Sequence, residues 1–266
     1  GDKSGSDTPF WFSWDAPNVH FLAFDTEVYN YSYSPGQVQR QLNWLKKDLE
    51  YANQPEQRKK HPWIITLGHK CDWQDLVDFT EFLELFHNYG VDLHLCGHQH
   101  NYQRLYPGYK SLAVENKNSE VYVDPNYWTQ IVIGSPGCQE KISSGKAPYK
   151  NGVAARFLSY GYGALTVTNS THLTWTWKQT NTPSSSALGE NAFDQAYLAL
   201  IHNQQVDDNT IKDKVTIIQH VHGKRKPISK AHQLLAKQQL LSAEHIDEEA
   251  YVANYFARAS DKTVEN

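Results

Sequence analysis

The sequence predicts an α/β protein: a βαβαβ parallel unit followed by antiparallel strands. Three observations predict it. Short apolar runs alternate with helical apolar stripes between residues 19 and 96. Two of those runs stop at Gly-His, which puts two histidines at the carboxyl edge of a sheet. After Pro107 the texture changes to shorter strands and turns.

Val19 to Phe24 is apolar apart from His20 and lies between Pro17-Asn18 and Asp25, so it reads as a buried strand. Ser34-Pro35 has the form of a helix N-cap with a first-turn proline, and Val38, Leu42, Leu45 and Leu49 continue as one stripe. Pro62 opens a second run, Trp63 to Leu67, which stops at Gly68-His69. Asp72 can cap a second helix with the stripe Leu76, Phe79, Leu83 and Phe86 and with Gly90 just past its end. Val91 to Cys96 is the third strand and stops at Gly97-His98. Ligands of open α/β sheets sit at this carboxyl edge. A glycine there lets the backbone turn away and leaves the histidine facing the crevice.

Downstream, Trp128 to Ile133 reads as a strand, and Ala164–Thr168 with His172–Lys178 reads as a hairpin around Asn169-Ser170. Leu173, Trp175 and Trp177 share one face of its second strand, Thr174 and Thr176 the other. A Ser- and Pro-containing loop follows at 182–186, and beyond Pro227 thin apolar stripes suggest a helical tail.

The chain is 39% hydrophobic and 20% charged, with 8 Trp, 16 Tyr and 10 Phe, which suits a soluble domain with a packed core. A net charge of −4 gives no pull toward nucleic acid or anionic lipid. No apolar run approaches the roughly 20 residues of a membrane helix, so neither nucleic acid nor membrane is an expected partner. The chain starts at Gly1 without a signal-like stretch and contains no Met, as expected of a processed or partial chain. Cys71, Cys96 and Cys138 cannot all pair within one chain, and their spacing is not that of a structural zinc site. The sequons at Asn30 (Asn-Tyr-Ser) and Asn169 (Asn-Ser-Thr) are candidate glycosylation sites, a pattern that also arises by chance.

His98-Gln99-His100 is the sharpest local feature. Two imidazoles one residue apart at a strand end can meet one metal ion, or one apiece can serve two adjacent ions; zinc, iron and manganese all accept imidazole. A lone HxH is usually a pair of half-exposed loop histidines. Here His69 ends the neighbouring strand in the same Gly-His manner, so the three imidazoles are expected to converge on one sheet edge. His220-Val-His222 lacks the preceding glycine and reads as a surface strand, and His20, His87, His94 and His172 sit within strand or helix patterns as structural residues. Asp25 and Glu27 read equally as a pair supporting the site or as a solvated loop.

At these residues a family resemblance emerges. Pro62-Trp-Ile-Ile-Thr-Leu-Gly-His69 resembles the "PWII..GH" segment of purple acid phosphatases, members of the metallophosphoesterase superfamily. Tyr89-Gly-Val-Asp-Leu-His-Leu-Cys-Gly-His-Gln-His-Asn-Tyr-Gln-Arg104 resembles their "YGVDL…GHxHxYER" segment. Ile133-Gly-Ser-Pro-Gly-Cys138 and Tyr160-Gly-Tyr-Gly163 look like the closing antiparallel part, and the likeness is closer to animal members than to plant ones.

The resemblance implies half of a layered αββα sandwich: residues 1–180 as the carboxyl-terminal half of the catalytic domain, 181–228 as linker and closing strand, 229–266 as helical tail. It implies an acid phosphatase that hydrolyses phosphate monoesters with a metal-bound hydroxide at a dinuclear centre of Fe and a second divalent metal (Zn, Mn or Fe). His69 and His98 would bind the divalent ion and His100 the ferric ion. A secreted or lysosomal glycoprotein is implied as well.

The pattern also breaks. The family's Asp-x-Gly, Gly-Asp-x-x-Tyr and Gly-Asn-His-Asp/Glu motifs are not in this sequence, so the chain is expected to supply only the histidine ligands. Where the family has Gly-His-Arg-Pro and a long loop bearing another histidine, His69-Lys70-Cys71-Asp72 runs straight into the next helix. Gln103 stands where "YER" has glutamate. The competing readings are a non-catalytic metallophosphatase-like fragment acting by binding, and another metallophosphoesterase such as a phosphodiesterase.

Overall fold

A computed structural model of the chain describes residues 5–29, 35–71, 80–109, 120–137, 142, 152–180 and 211–225. The expected helical tail, Asn30, Cys138 and the 182–186 loop lie outside these residues.

The opening hairpin pairs β1 (Phe12–Ala16) with β2 (Val19–Ala23) in antiparallel register, Ala16 opposite Val19. Helix α1 (Pro35–Ala52) follows and buries Leu42, Leu45 and Leu49, three of the four stripe residues. Helix α2 (Pro55–Lys60) is short and polar, and Arg58 is its buried residue. Then come β3 (Trp63–Leu67), α3 (Thr80–Asn88), β4 (Leu93–Cys96), β5 (Tyr102–Leu105), β6 (Val121–Val123) and β7 (Thr129–Ile133). The series closes with β8 (Val153–Phe157), β9 (Gly161–Val167), β10 (His172–Gln179) and β11 (Ile211–Ile218).

Two sheets result. The first has seven strands in the order β1-β2-β3-β4-β7-β5-β8, with β2, β3, β4 and β7 mutually parallel. The second has four, β6-β11-β10-β9. Their facing sides make one core, in which Trp63, Ile65, Leu93, Leu95, Tyr102 and Ile131 meet Tyr122, Leu173, Trp175, Trp177, Val215 and Ile217. The period-two pattern of β10 therefore buries the Leu173, Trp175 and Trp177 face. The opposite face of the first sheet packs on the helices, where Phe24 stacks on Phe82 at 5.4 Å and meets Phe86 edge-on at 5.6 Å. This layered α/β arrangement is the expected fold class.

A buried polar cluster joins the sheets. From β5, Arg104 donates Nε and Nη2 to the two oxygens of Asp213 on β11, at 2.6 and 2.7 Å, and Tyr102 donates to the same carboxylate at 2.6 Å. Trp175 Nε1 donates to the Tyr102 hydroxyl at 3.0 Å, and Arg104 also donates to Tyr122.

A second cluster fixes the edge hairpin to α1. His20 is buried, with Nδ1 2.7 Å from Asp15 and Nε2 2.8 Å from Asp48. Burial alone lowers its pKa, but Asp48 and then Asp15 outweigh burial and hold the imidazole above its ordinary 6.5. A raised folded pKa means that this stabilisation is complete below about pH 6.5 and is lost as pH rises through the folded value. Substituting His20→Gln is therefore expected to cost about 2 kcal/mol in urea unfolding at pH 5.5 and clearly less at pH 8.5. An equal cost at both pH values would show that the imidazolium is not what joins the two carboxylates.

The structure corrects one expectation. His220-Val-His222 is not a surface strand: the chain leaves the sheet at Gln219, and Asp124 accepts from the backbone N–H of His220 at 2.7 Å and lies 2.9 Å from its ring. His222 turns inward, edge-on to Trp63 at 4.8 Å, with Nε2 donating to the Ser170 carbonyl at 2.7 Å.

Candidate metal site at the sheet edge

Parallel strands β3 and β4 end side by side, and both continue into Gly-His. Their turns are tied to each other: Gly68 N–H donates to the Leu95 carbonyl at 3.1 Å, and Gly97 N–H donates to the His69 carbonyl at 2.8 Å. Gly68 is required by crowding, because a Cβ there would lie 2.9 Å from Thr26 Cγ2 and 3.1 Å from the Phe24 ring.

The His98 backbone adopts φ +62°, a left-handed conformation that costs a non-glycine residue free energy and that tends to recur at functional sites. Two tight turns hold it, Gln99 N–H to the Gly97 carbonyl at 2.7 Å and Asn101 N–H to the Gln99 carbonyl at 2.8 Å. Gln103, from β5, donates Nε2 to Gln99 Oε1 at 2.6 Å and to Asn101 Oδ1 at 2.8 Å. The amide in place of the usual glutamate thus donates to the loop that carries His98 and His100.

The consequence is a close imidazole pair. His98 Nδ1 lies 3.3 Å from His69 Nε2, with ring centroids 5.2 Å apart and planes at 74°. His69 is exposed, and His98 and His100 are half-buried on the same edge. Two nitrogens that bind one tetrahedral ion at about 2.0–2.1 Å stand about 3.3–3.4 Å apart. The pair therefore fits two ligands of a single ion. Among the described residues no group of three or more His, Cys, Asp or Glu side chains is arranged to hold a metal. His100 is not brought into a three-ligand group with the pair, and a dinuclear centre does not fit these residues alone.

Of the support beneath the turns, the sequence offered Asp25 and Glu27 alone, and only as one of two equal readings. His94, on β4, faces the helices, hydrogen-bonds Thr66 at 2.9 Å and the backbone of Lys70, and is pushed down to about pKa 4 by burial, so it remains neutral. Thr26 Oγ1 accepts from Lys70 N–H at 3.0 Å. Asp25 Oδ1 caps Glu27 N–H at 2.8 Å, and Glu27 lies 3.9 Å from the buried Lys70 ammonium. Cys71 and Cys96 form a disulfide, with their Cα atoms 5.4 Å apart. The mirrored spacing His69-x-Cys71 and Cys96-x-His98 was its one trace in the sequence.

A family model described as calcineurin-like phosphoesterase matches residues 10–102, a stretch that contains both Gly-His strand ends. A second model, described as iron/zinc purple acid phosphatase-like protein C, matches residues 128–186. Acid phosphatase type 7 of Danio rerio is 38% identical over 196 residues, covering 65% of this chain and 43% of the relative. The Homo sapiens protein of the same name is 36% identical over 192 residues, covering 65% and 42%. Purple acid phosphatase 18 of Arabidopsis thaliana is 30% identical over 186 residues, covering 66% and 38%. A yellow lupin purple acid phosphatase structure shares the fold, with TM-score 0.57 and 20% identity over 80% of this chain and 34% of that one. The chain resembles the purple acid phosphatases, with greater identity to these animal relatives than to the plant one. It spans less than half the length of the relatives it matches.

Proposed function

We propose that this chain supplies the histidine side of a phosphate-monoester hydrolase site, with His69 and His98 on a divalent ion (zinc, manganese or iron) and His100 on a ferric ion. The observation that carries it is the 3.3 Å separation of His69 Nε2 and His98 Nδ1 at neighbouring strand ends. Bound metal would neutralise charge on the phosphoryl oxygens and acidify the attacking water. The histidines would hold the ions, and the left-handed backbone at His98 would aim its ring.

A second reading, binding without catalysis, is favoured by a specific observation: no carboxylate joins the histidine pair among the described residues. Two measurements on the purified chain separate the readings. Zinc titration is expected to show weak binding that is lost in both His69→Ala and His98→Ala. Turnover of a chromogenic phosphate ester at acidic pH, with iron and zinc supplied, is expected to fall far below that of a complete family member. Identical zinc isotherms in all three proteins would sink the ligand assignment. Turnover matching a complete member, and abolished by His98→Ala, would overturn the histidine-only reading.

A secreted or lysosomal setting is part of this proposal, supported by a disulfide of the kind that persists in oxidising compartments. Asn169 is the proposed glycan acceptor. It is exposed at the turn between β9 and β10, and its Oδ1 accepts from Thr171 N–H at 2.8 Å and the Thr171 hydroxyl at 3.0 Å.

A further inference from the structure

We propose that the Cys71–Cys96 disulfide positions the His69–His98 pair, holding the β3 exit turned back on β4 so that the two imidazoles keep ligand spacing. The proposal rests on the metal-ligand reading of that pair.

β3 and β4 pair in parallel with Ile65 opposite Leu93, Thr66 opposite His94 and Leu67 opposite Leu95. Continued at the same offset, Cys71 would stand beside Gln99. Instead it is bonded to Cys96, three residues back along β4. The chain therefore reverses direction just after β3, and His69 lies at that reversal.

The disulfide is the covalent element holding the reversal closed. It lies two residues after His69 and two before His98, so it brackets both ligand turns symmetrically. Within the bracket run the two cross-turn hydrogen bonds, Gly68 N–H to Leu95 and Gly97 N–H to His69. Both cysteines are buried, at 1% and 2% exposure, in a small cluster with Leu105 and Val132. Buried sulfurs are poorly accessible to thiols in solution, which fits a fixed clamp better than an exchanging switch. The metal-site counterpart is the hydrogen-bonded shell that orients ligands, whose removal typically lowers metal affinity about 10–100-fold. Here a covalent bond and two amides take that role.

The test compares the oxidised full chain with Cys71→Ser/Cys96→Ser, because thiolates left by simple reduction would themselves bind zinc. Cys71→Ala/Cys96→Val is the second variant, keeping the apolar packing of Cys96 should the serines impair folding. Zinc affinity is read by competition with a chromogenic chelator, and amide hydrogen exchange is read on the metal-free chain. The expected result is a zinc Kd raised about tenfold or more, with Gly68 and Gly97 amides exchanging faster by a larger factor than the β10 amides. The β10 amides report global unfolding, so the excess isolates the turns.

Zinc affinity within twofold of the oxidised chain overturns the proposal. So does acceleration at Gly68 and Gly97 no greater than at β10. An oxidised chain that binds no zinc overturns the ligand assignment of the proposed function instead, and the exchange comparison then still decides whether the disulfide holds the turns.

Discussion

Replacing Asp213 with alanine is expected to cost about 3–5 kcal/mol, a large share of the stability of an ordinary domain. Asp213 is a buried carboxylate that accepts from two of the Arg104 nitrogens, Nε and Nη2, and from the hydroxyl of Tyr102. Its removal leaves a guanidinium at 1% side-chain exposure without its counter-charge, between two sheets that exclude water. An uncompensated buried charge costs more than the intact pair ever contributed, which is why one partner's loss is worse than replacement of both. Asp213→Asn retains the shape and one accepting oxygen, so it should cost less. The same reasoning makes Tyr102→Phe non-additive with Asp213→Ala, since both delete one shared bond. Urea unfolding followed by tryptophan fluorescence reads each variant and the double mutant against the parent chain. A loss below about 1 kcal/mol for Asp213→Ala, the scale of an ordinary hydrogen bond, would show that Arg104 finds another partner and that the cluster does not join the sheets.

The second large effect is expected from Gly134→Ala, just past the end of β7. A Cβ at this position would lie 2.2 Å from the Gln99 carbonyl oxygen and 3.0 Å from its carbon. Both are backbone atoms of the residue between His98 and His100, so the clash cannot be relieved by a side-chain rotation. The loop must move. The expected cost is about 1–3 kcal/mol of stability together with a zinc affinity lowered about tenfold or more. Gly36→Ala in the first turn of α1 is the control, because a Cβ there would meet nothing within 4 Å. There alanine should be neutral or stabilising by up to about 1 kcal/mol through its helix preference. If Gly134→Ala binds zinc as the parent chain does, the path of residues 97–101 is not what sets the pair.

The parts of the fold that sequence reading found are those where burial is one-sided and local. The run Trp63–Leu67 is β3 with its bounds unchanged, because five consecutive apolar or β-branched residues between Pro62 and Gly68 leave no other economical assignment. The Leu173, Trp175 and Trp177 alternation places β10 for the same reason. Elements whose stabilising partners lie far away in sequence were not legible. Strand β5 reads Tyr-Gln-Arg-Leu, a polar stretch that is fully buried because Asp213, more than a hundred residues on, neutralises Arg104. Helix α2 has no apolar stripe; its buried Arg58 donates to the carbonyls of Tyr89 and Gly90, beyond α3.

The candidate site divides in the same way. The sequence by itself determined which side chains stand at the sheet edge, since Gly-His at two strand ends is a local pattern and histidine chemistry follows from it. Only the tertiary structure decided how those side chains meet. It brings His69 and His98 to 3.3 Å, sets His98 in a left-handed backbone and pairs Cys71 with Cys96 among three cysteines. It also turns the partly buried His222 edge-on against Trp63. The physical reason is that distances between groups on different strands are fixed by packing and cross-strand hydrogen bonds, which a linear pattern does not encode.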